Sequence, residues 1–364
     1  MTSSTLGHLR SLIAERGLDA VLISSPTNRR YLSGYRADDH AVDESAGMLL
    51  ISEDHAVLFT SGVNADWARS EATGFSVITI KRPWEAAIAE HAQELGHLRI
   101  GFEDRGLVVS AHRAFMAASE VLVWEPLDGS VDALRAQKSP QEIGELERAI
   151  RLTDDVFAAV VSRISPGETE SSIAERIERL TQEMTDGTIA FDPIVASGPN
   201  SARPHHAVSK RAVREGEPIV IDLGVTSNGY RGDLTRTIWL GEPSTRLREV
   251  YNVVHRAQAM ALSLVGPGVP VKQVDQAARD AITTAGFENY IVHAVGHGLG
   301  LRVHEAPSVS IASEDVLREG HVVTIEPGVY IPDWGGVRIE DVAVVTADGS
   351  RNVTTAAKHP GWET

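Results

Sequence analysis

The amino-acid sequence contains no cysteine. That absence excludes disulfides, a thiolate nucleophile and every thiolate metal site, and it fits a reducing cytoplasm. Basic residues are in deficit. Lys and Arg number 34 against 50 Asp and Glu, and the net charge of −16 disfavours a phosphate-binding surface and nucleic acid as a partner. Long apolar runs are missing too: VVTI at 322–325 falls far short of a membrane span, so no membrane partner is expected. The N-terminal MTSSTLGHLRSLIAERGLDA interleaves charge with helical apolar spacing, unlike a signal peptide. There is no G-x-S-x-G elbow and no P-loop, and HEAPS at 304–308 fails the H-E-x-x-H pattern.

What is present is globular, 42% apolar and 23% charged, and 364 residues are comfortable for two domains. Residues 1–135 alternate helix and strand. DAVLIS, AGMLLIS, HAVLFT and LRIGFED read as strands, with helices over LRSLIAERG and near 64–72, 84–95 and 111–119. The expectation is an α/β domain with parallel-type strands. A boundary follows at KSPQEIGELERAI. Ser139 is a suitable N-cap, Pro140 stands at the first helical position and Glu142 completes an S-x-x-E capping box, opening a helix that runs to about Ile164. A second helix covers SSIAERIERLTQEM. Beyond residue 186 come strands and Gly/Pro loops, with helices near 246–265 and 271–285, so residues 136–364 read as an α+β domain.

This second domain carries the chemistry. HAVGHGLGLRVHE, residues 293–305, places His293, His297 and His304 among Gly296, Gly298 and Gly300. Glycine is costly inside a helix or strand, so such a run reads as one wall of a site. In PIVIDLGVTSNGYRGDLTRTIWL, Asp222 interrupts an apolar strand and Asp233 lies in the next, across the turn signal SNG. Side chains alternate along a strand, and the parity of the two positions puts both on one face, as direct or diagonal partners roughly 5–8 Å apart. Two buried carboxylates that close repel unless a cation lies between them. VVTIEPGVYIPDWGGVRIEDVAVVT repeats the device, with Glu326 ending one apolar strand, Glu340 within another and Arg338 sharing the face of Glu340. Four carboxylates and a histidine make an oxygen-rich set that suits two divalent ions sharing a water.

FDPIVASGPNSARPHH, IDLG, GHGLGLRVHEAP, TIEPGVY and GGVRIED, in that order, resemble the prolidase and aminopeptidase P branch of the metallopeptidases. The resemblance spans both domains. It implies an α/β creatinase-like N-terminal domain (1–135) followed by an α+β pita-bread metallopeptidase domain (136–364). The implied metal ligands are Asp222, Asp233, His297, Glu326 and Glu340, with Asp233 and Glu340 bridging two divalent ions. Carboxylate-rich ligation favours Mn²⁺, with Co²⁺, Zn²⁺ or Fe²⁺ as substitutes. The implied catalytic residues are His205 and Arg338, which orient substrate and a bridging carboxylate, and His293 and His304, which hold the carbonyl and the developing oxyanion. Glu326 is the implied proton carrier.

The implied activity is hydrolysis of the Xaa-Pro imide bond in dipeptides or short peptides by a cytoplasmic homodimer. Xaa-Pro dipeptidase (prolidase) is preferred over aminopeptidase P. The glycines beside His297 are expected to let backbone approach the metals, and Phe191 and Ile194 are candidates for a proline pocket. His206 reads as a neighbour of His205, not a participant. The loop YLSGYRADDH (31–40), with Tyr31, Tyr35, Arg36, Asp38 and Asp39, is expected near a partner subunit's site. Gly232 departs from the family pattern, which more often has serine there. Methionine aminopeptidases share the five ligands but usually lack the first domain and an arginine at 338. Creatinase-like enzymes share the fold without the metals, and an intact ligand set argues against a peptide-binding pseudoenzyme.

Overall fold

A computed structural model describes residues 2–41, 43–81 and 83–358, with side chains from Thr5 onward. The chain divides into two units, Met1–Arg135 and Ala136–Thr364.

In the first unit, β1 (Ala20–Ile23), β2 (Met48–Ser52), β3 (Ala56–Thr60), β4 (Ser76–Thr79), β5 (Arg99–Phe102) and β6 (Val123–Pro126) form one sheet in the order β4-β3-β2-β1-β5-β6. One face packs Val21, Ile23, Leu49 and Ile51 against Leu6, Leu9 and Ile13 of α1 (Thr2–Glu15). The other packs Leu22, Leu50 and Phe59 beneath Ile88, Ala92 and Phe115, which two helices carry. The helices are α2 (Pro26–Ser33), α3 (Ala65–Glu71), α4 (Trp84–Glu94), α5 (Val109–Ala118) and α6 (Ser130–Ala136). The parallel arrangement expected from the sequence holds only in part: β1–β5, β5–β6 and β3–β4 are parallel, whereas β1–β2 and β2–β3 are antiparallel. Only residues 53–55 separate β2 from β3, and so short a connection returns the chain antiparallel.

Sequence periodicity does not reveal α2, because its buried side is Asn28, Arg29, Leu32 and Ser33. The fully buried Arg29 donates to the carbonyls of Gly47 and Ala37 and pairs with Asp39 at 2.9 Å. Tyr35 is buried under the same guanidinium, and Arg36 pairs with Glu71. These residues of the 31–40 loop are therefore engaged within their own unit.

The second unit consists of two helix pairs, each covering an antiparallel sheet, the α+β pita-bread arrangement. Its first half opens with α7 (Pro140–Val161), whose capping box is formed: Ser139 N–H donates to Glu142 at 2.9 Å and Glu142 N–H to the Ser139 hydroxyl at 3.3 Å. It packs with α8 (Glu170–Met184), beyond which come β7 (Thr188–Ile189), β8 (Ile194–Ser197), β9 (Ile219–Leu223), β10 (Val225–Ser227), β11 (Tyr230–Arg231) and β12 (Leu234–Ile238). The second half pairs α9 (Thr245–Ser263) with α10 (Val271–Thr284). They cover the sheet of β13 (Gly296–Gly298), β14 (Glu305–Val309), β15 (Val322–Ile325), β18 (Asp341–Thr346) and β19 (Gly349–Asn352), while β16 (Gly328–Ile331) and β17 (Gly335–Arg338) form a separate hairpin. Among the described residues no helix is long and apolar enough to cross a membrane.

Candidate metal centre

Strand alternation decides which side chains meet. In β9, Ile219, Ile221 and Leu223 pack on α7 and α8 with Leu234 and Ile238 of β12, which leaves Asp222 and Thr235 on the opposite face. The second half repeats the division. Val323, Ile325, Val337 and Ile339 join the core beneath α9 and α10, so Thr324, Glu326, Arg338 and Glu340 turn away from the helices. Each half of the unit thus delivers carboxylates from the face its helices do not cover.

The hairpin that relates Asp222 to Asp233 turns at Asn228 and Gly229, with φ values of 47° and 82°, as a type I′ turn requires. Its register continues from Ser227↔Tyr230 through Leu223↔Leu234 to Asp222↔Thr235. Asp233 therefore stands one residue before β12, not inside it, as the diagonal neighbour of Asp222. Glu340 likewise falls at the junction of β17 and β18, not within a strand. Gly232 has a local cause: a Cβ there would lie 2.2 Å from the Thr153 hydroxyl and 2.7 Å from the Ala149 carbonyl of α7. The glycines beside His297 also serve packing. A Cβ on Gly296 would meet the Thr324 carbonyl at 1.9 Å and one on Gly298 the Ala306 carbonyl at 2.2 Å, so they admit neighbouring strands, and Gly296 also lines the same cavity as His297.

Asp222, Asp233, His297, Glu326 and Glu340 line one cavity of about 770 Å³ with His205, His293, His304, Arg338, Phe191 and Ile194. Donor atoms of Asp233, His297 and Glu340 lie within 4.8 Å of one another. His297 Nδ1 donates to the Gly298 carbonyl at 3.1 Å, which directs Nε2 into the cavity, 3.1 Å from Glu326 and 3.7 Å from Asp233. Arg338 donates to Asp222 at 2.6 Å, to the Thr235 hydroxyl at 3.0 Å and to the Tyr330 hydroxyl at 2.9 Å, so the carboxylate it holds is Asp222, where the resemblance implies a bridging one. Asp222 Oδ1 and Glu340 Oε1 are buried with no hydrogen-bond partner. Buried carboxylate oxygens without donors, in one cavity with a histidine, fit a divalent cation of hard character.

The charges carry the same strain. Burial, and then the charges of Glu340, Asp222 and Glu326, push the Asp233 carboxyl well above the usual carboxylate range. Burial and the neighbouring Glu326 and Asp222 push Glu340 up to about 8. Burial also acts to raise Glu326, but the hydrogen bond from His297 and the nearby positive charge outweigh it and hold Glu326 at about 2. His297 is the reciprocal case: burial lowers it, yet Glu326 and Glu340 bring it to about 9. Acids this crowded are in conflict until positive charge sits among them.

The other histidines divide. His293, His304 and His205 reach the cavity, whereas His206 is buried away from it. His293 Nδ1 donates to the Ala294 carbonyl at 2.7 Å, so Nε2 accepts from the Tyr330 hydroxyl at 2.8 Å. Tyr330 is thereby linked to both Arg338 and His293. Sequence patterning does not single it out, because it looks like one more apolar strand residue in GVYI. The available signal is its place diagonal to Arg338 across the hairpin, where Gly328 pairs with Arg338 and Tyr330 with Gly336.

Beside His304, Glu305 and Lys138 form an ion pair at 3.3 Å with side chains only 2% and 1% exposed. Lys138→Met removes a buried cation from beside Glu305 and is expected to destabilise the metal-free protein by about 2–4 kcal/mol, while Lys138→Met with Glu305→Gln loses much less. Urea denaturation of the three proteins checks this, and equal midpoints for wild type and the single variant would refute it.

Residues 144–347 match the model of metallopeptidase family M24, and residues 6–137 match the creatinase/prolidase N-terminal domain. The chain is 35% identical over 350 residues to the Xaa-Pro dipeptidase of Pyrococcus furiosus, covering 96% of this chain and 97% of that one. Among solved structures it resembles an Xaa-Pro dipeptidase from Bacillus anthracis, with a TM-score of 0.93, 35% identity and coverage of 98% and 99%. It also resembles an X-Pro aminopeptidase from Thermotoga maritima, with a TM-score of 0.86, 33% identity and coverage of 95% and 98%.

Proposed function

This chain belongs to metallopeptidase family M24, and from that premise we propose that it hydrolyses the Xaa-Pro bond of dipeptides, as a prolidase. The observation that carries the proposal is the set of crowded, partly unpartnered carboxylates around His297 in a chain that matches named Xaa-Pro dipeptidases over nearly its whole length.

In this reading Asp222, Asp233, His297, Glu326 and Glu340 hold two divalent ions, Mn²⁺ by preference. When bound, the ions supply Lewis acidity and a water of lowered pKa. The chain's own residues do the rest. His304 stabilises the charge that develops on the carbonyl oxygen, and His293, oriented by the Tyr330 hydroxyl, holds the carbonyl or prolyl side. Glu326 carries a proton to the prolyl nitrogen, which must be protonated to leave. Arg338 fixes Asp222, while His205 orients the substrate beside Phe191 and Ile194.

His304→Ala is expected to cut kcat by about 10²–10³ with metal content unchanged, as loss of an oxyanion donor would. Metal analysis beside kinetics checks it, and depletion of metal would overturn the ligand assignment. The activity itself is tested on Ala-Pro and Ala-Pro-Ala-Ala with Mn²⁺-loaded and EDTA-treated protein. EDTA-sensitive cleavage of the dipeptide alone is the expected result. Cleavage of the longer peptide as well would make the enzyme an aminopeptidase P, and cleavage of neither would end the Xaa-Pro reading. The proposal extends to a cytoplasmic homodimer, which sedimentation of the purified chain checks for oligomeric state.

A further inference from the structure

Of the adjacent histidines 205 and 206, the first lines the cavity and the second does not. His206 is buried and leaves the same short stretch of backbone on the other side, with its Nε2 2.9 Å from a carboxylate oxygen of Glu170. Glu170 is the first residue of α8 and is fully buried. Its carboxylate gathers donors from the whole segment that carries His205. Ser197 contributes its N–H at 2.8 Å and its hydroxyl at 2.7 Å, and Asn200 its amide at 3.0 and 3.1 Å. Ser209 adds its hydroxyl at 2.6 Å and its N–H at 3.2 Å.

Burial pushes the Glu170 carboxyl up, but the donors from Ser209, Ser197 and Asn200 outweigh it and hold the acid below its ordinary value. An ionised acceptor requires His206 Nε2 to carry the hydrogen. On its other side the segment is tied to the β17 hairpin: Gly336 N–H donates to the Ser201 hydroxyl at 2.8 Å, and Arg338 donates to the Pro204 carbonyl at 3.3 Å. The backbone that presents His205 is thus clamped between α8 and β17. Neither Glu170 nor His206 lines the cavity.

We propose that Glu170, acting through His206, is a positioning residue that sets where the His205 ring meets the substrate. The proposal rests on the Xaa-Pro reading for its choice of substrate, and on geometry alone for the rest. A buried carboxylate that receives one donor from the histidine beside a substrate-facing histidine couples the aim of one ring to the anchorage of the other. Glutamine at 206 can still present an N–H to Glu170, whereas alanine cannot.

The test compares His206→Ala, His206→Gln and Glu170→Gln with wild type as full-length protein. In the Mn²⁺-loaded enzymes, kcat and KM for Ala-Pro are measured with metal content and melting temperature. In the metal-free proteins, the imidazole carbon–proton signal of His205, assigned with His205→Gln, is compared with those of His293 and His297. His206→Ala and Glu170→Gln are expected to raise KM by about tenfold or more while kcat and metal content stay near wild type, in the range found for groups that orient a site from behind. The His205 signal moves or broadens while those of His293 and His297 hold, and His206→Gln restores both readouts. An unchanged KM and His205 signal in His206→Ala would overturn the proposal. So would a joint loss of all three histidine signals, metal and melting temperature, which would make the pair a general strut. If wild type cleaves no Xaa-Pro peptide the substrate reading has failed, and the ring signals still decide the positioning claim.

Discussion

Glu340→Gln is expected to abolish hydrolysis and, in chelator-stripped protein at pH 8, to raise the melting temperature of the transition that includes the second unit. The two effects share a cause. Glu340 is 1% exposed, one of its carboxylate oxygens has no donor, and burial with the charges of Glu326 and Asp222 lifts its pKa from 4.5 to about 8. Between those two values the folded protein keeps a proton that the unfolded chain has released, so each rise in pH favours unfolding. Asp233, raised for the same reason, acts with the same sign. His297, raised from 6.5 to about 9, stabilises the fold below 6.5 and loses that contribution as pH rises through 9. Glu326, held at about 2, has the opposite sign, but its contribution is lost only as pH falls below 4.5.

The metal-free protein should therefore lose stability steadily from about pH 5 to 8, and loading with divalent metal should flatten the decline. A neutral amide at 340 removes one repelling carboxylate. With about 1.4 kcal/mol per pKa unit, discounted because the acids share one charge field, the gain is about 2–3 kcal/mol, or roughly 4–10 °C. Calorimetry of stripped wild type and variant at pH 5.5 and 8 measures it. A variant that melts no higher than wild type at pH 8 would show that the carboxylates are not in conflict.

The second large effect concerns Arg338, only 3% exposed and spanning Asp222, Thr235, Tyr330 and the Pro204 carbonyl. Arg338→Met leaves Asp222 buried without its cation, so loss of stability by about 3–5 kcal/mol is expected together with loss of activity. Arg338→Lys is the sharper variant. It keeps the charge but replaces a planar fork by a point donor that cannot reach Asp222, Thr235 and Tyr330 together. Metal content near wild type with kcat/KM lower by about 10–100-fold is the expected outcome. Full activity in Arg338→Lys would mean that charge alone matters at this position and that the Arg338–Tyr330 link is dispensable.

The two variants separate what was legible in the sequence from what was not. The second-domain elements could be read because their signals are local. Ser139, Pro140 and Glu142 cap a helix by contacts three residues apart, an apolar run broken only by Asp222 marks β9, and Leu234 and Ile238 alternating with threonines mark β12. The first domain carries fewer local signals. The antiparallel course of β1–β2–β3 depends on connection length and pairing, which apolar runs do not encode, and α2 hides behind a buried arginine. At the site, Asp222, Asp233, His297, Glu326, Arg338 and Glu340 could be chosen because charges and glycines stand out in apolar strands. Tyr330 and Thr235 could not, because nothing in their residue types distinguishes a hydroxyl that orders an arginine from one that fills a core.

By itself the sequence determined where Asp222, Asp233, Glu326 and Glu340 break apolar strands, their division between two hairpins and the parity that puts Asp222 and Asp233 on one face, since these follow from residue type and the alternation of an extended chain. Tertiary structure decided the rest. It brought the two halves of the second unit together so that Asp233, His297 and Glu340 lie within 4.8 Å. It also chose which of two adjacent histidines faces the cavity, and it set neighbouring strands against the glycines beside His297. Each of these depends on partners distant in the chain, and only the packing of the two halves decides which of those partners meet.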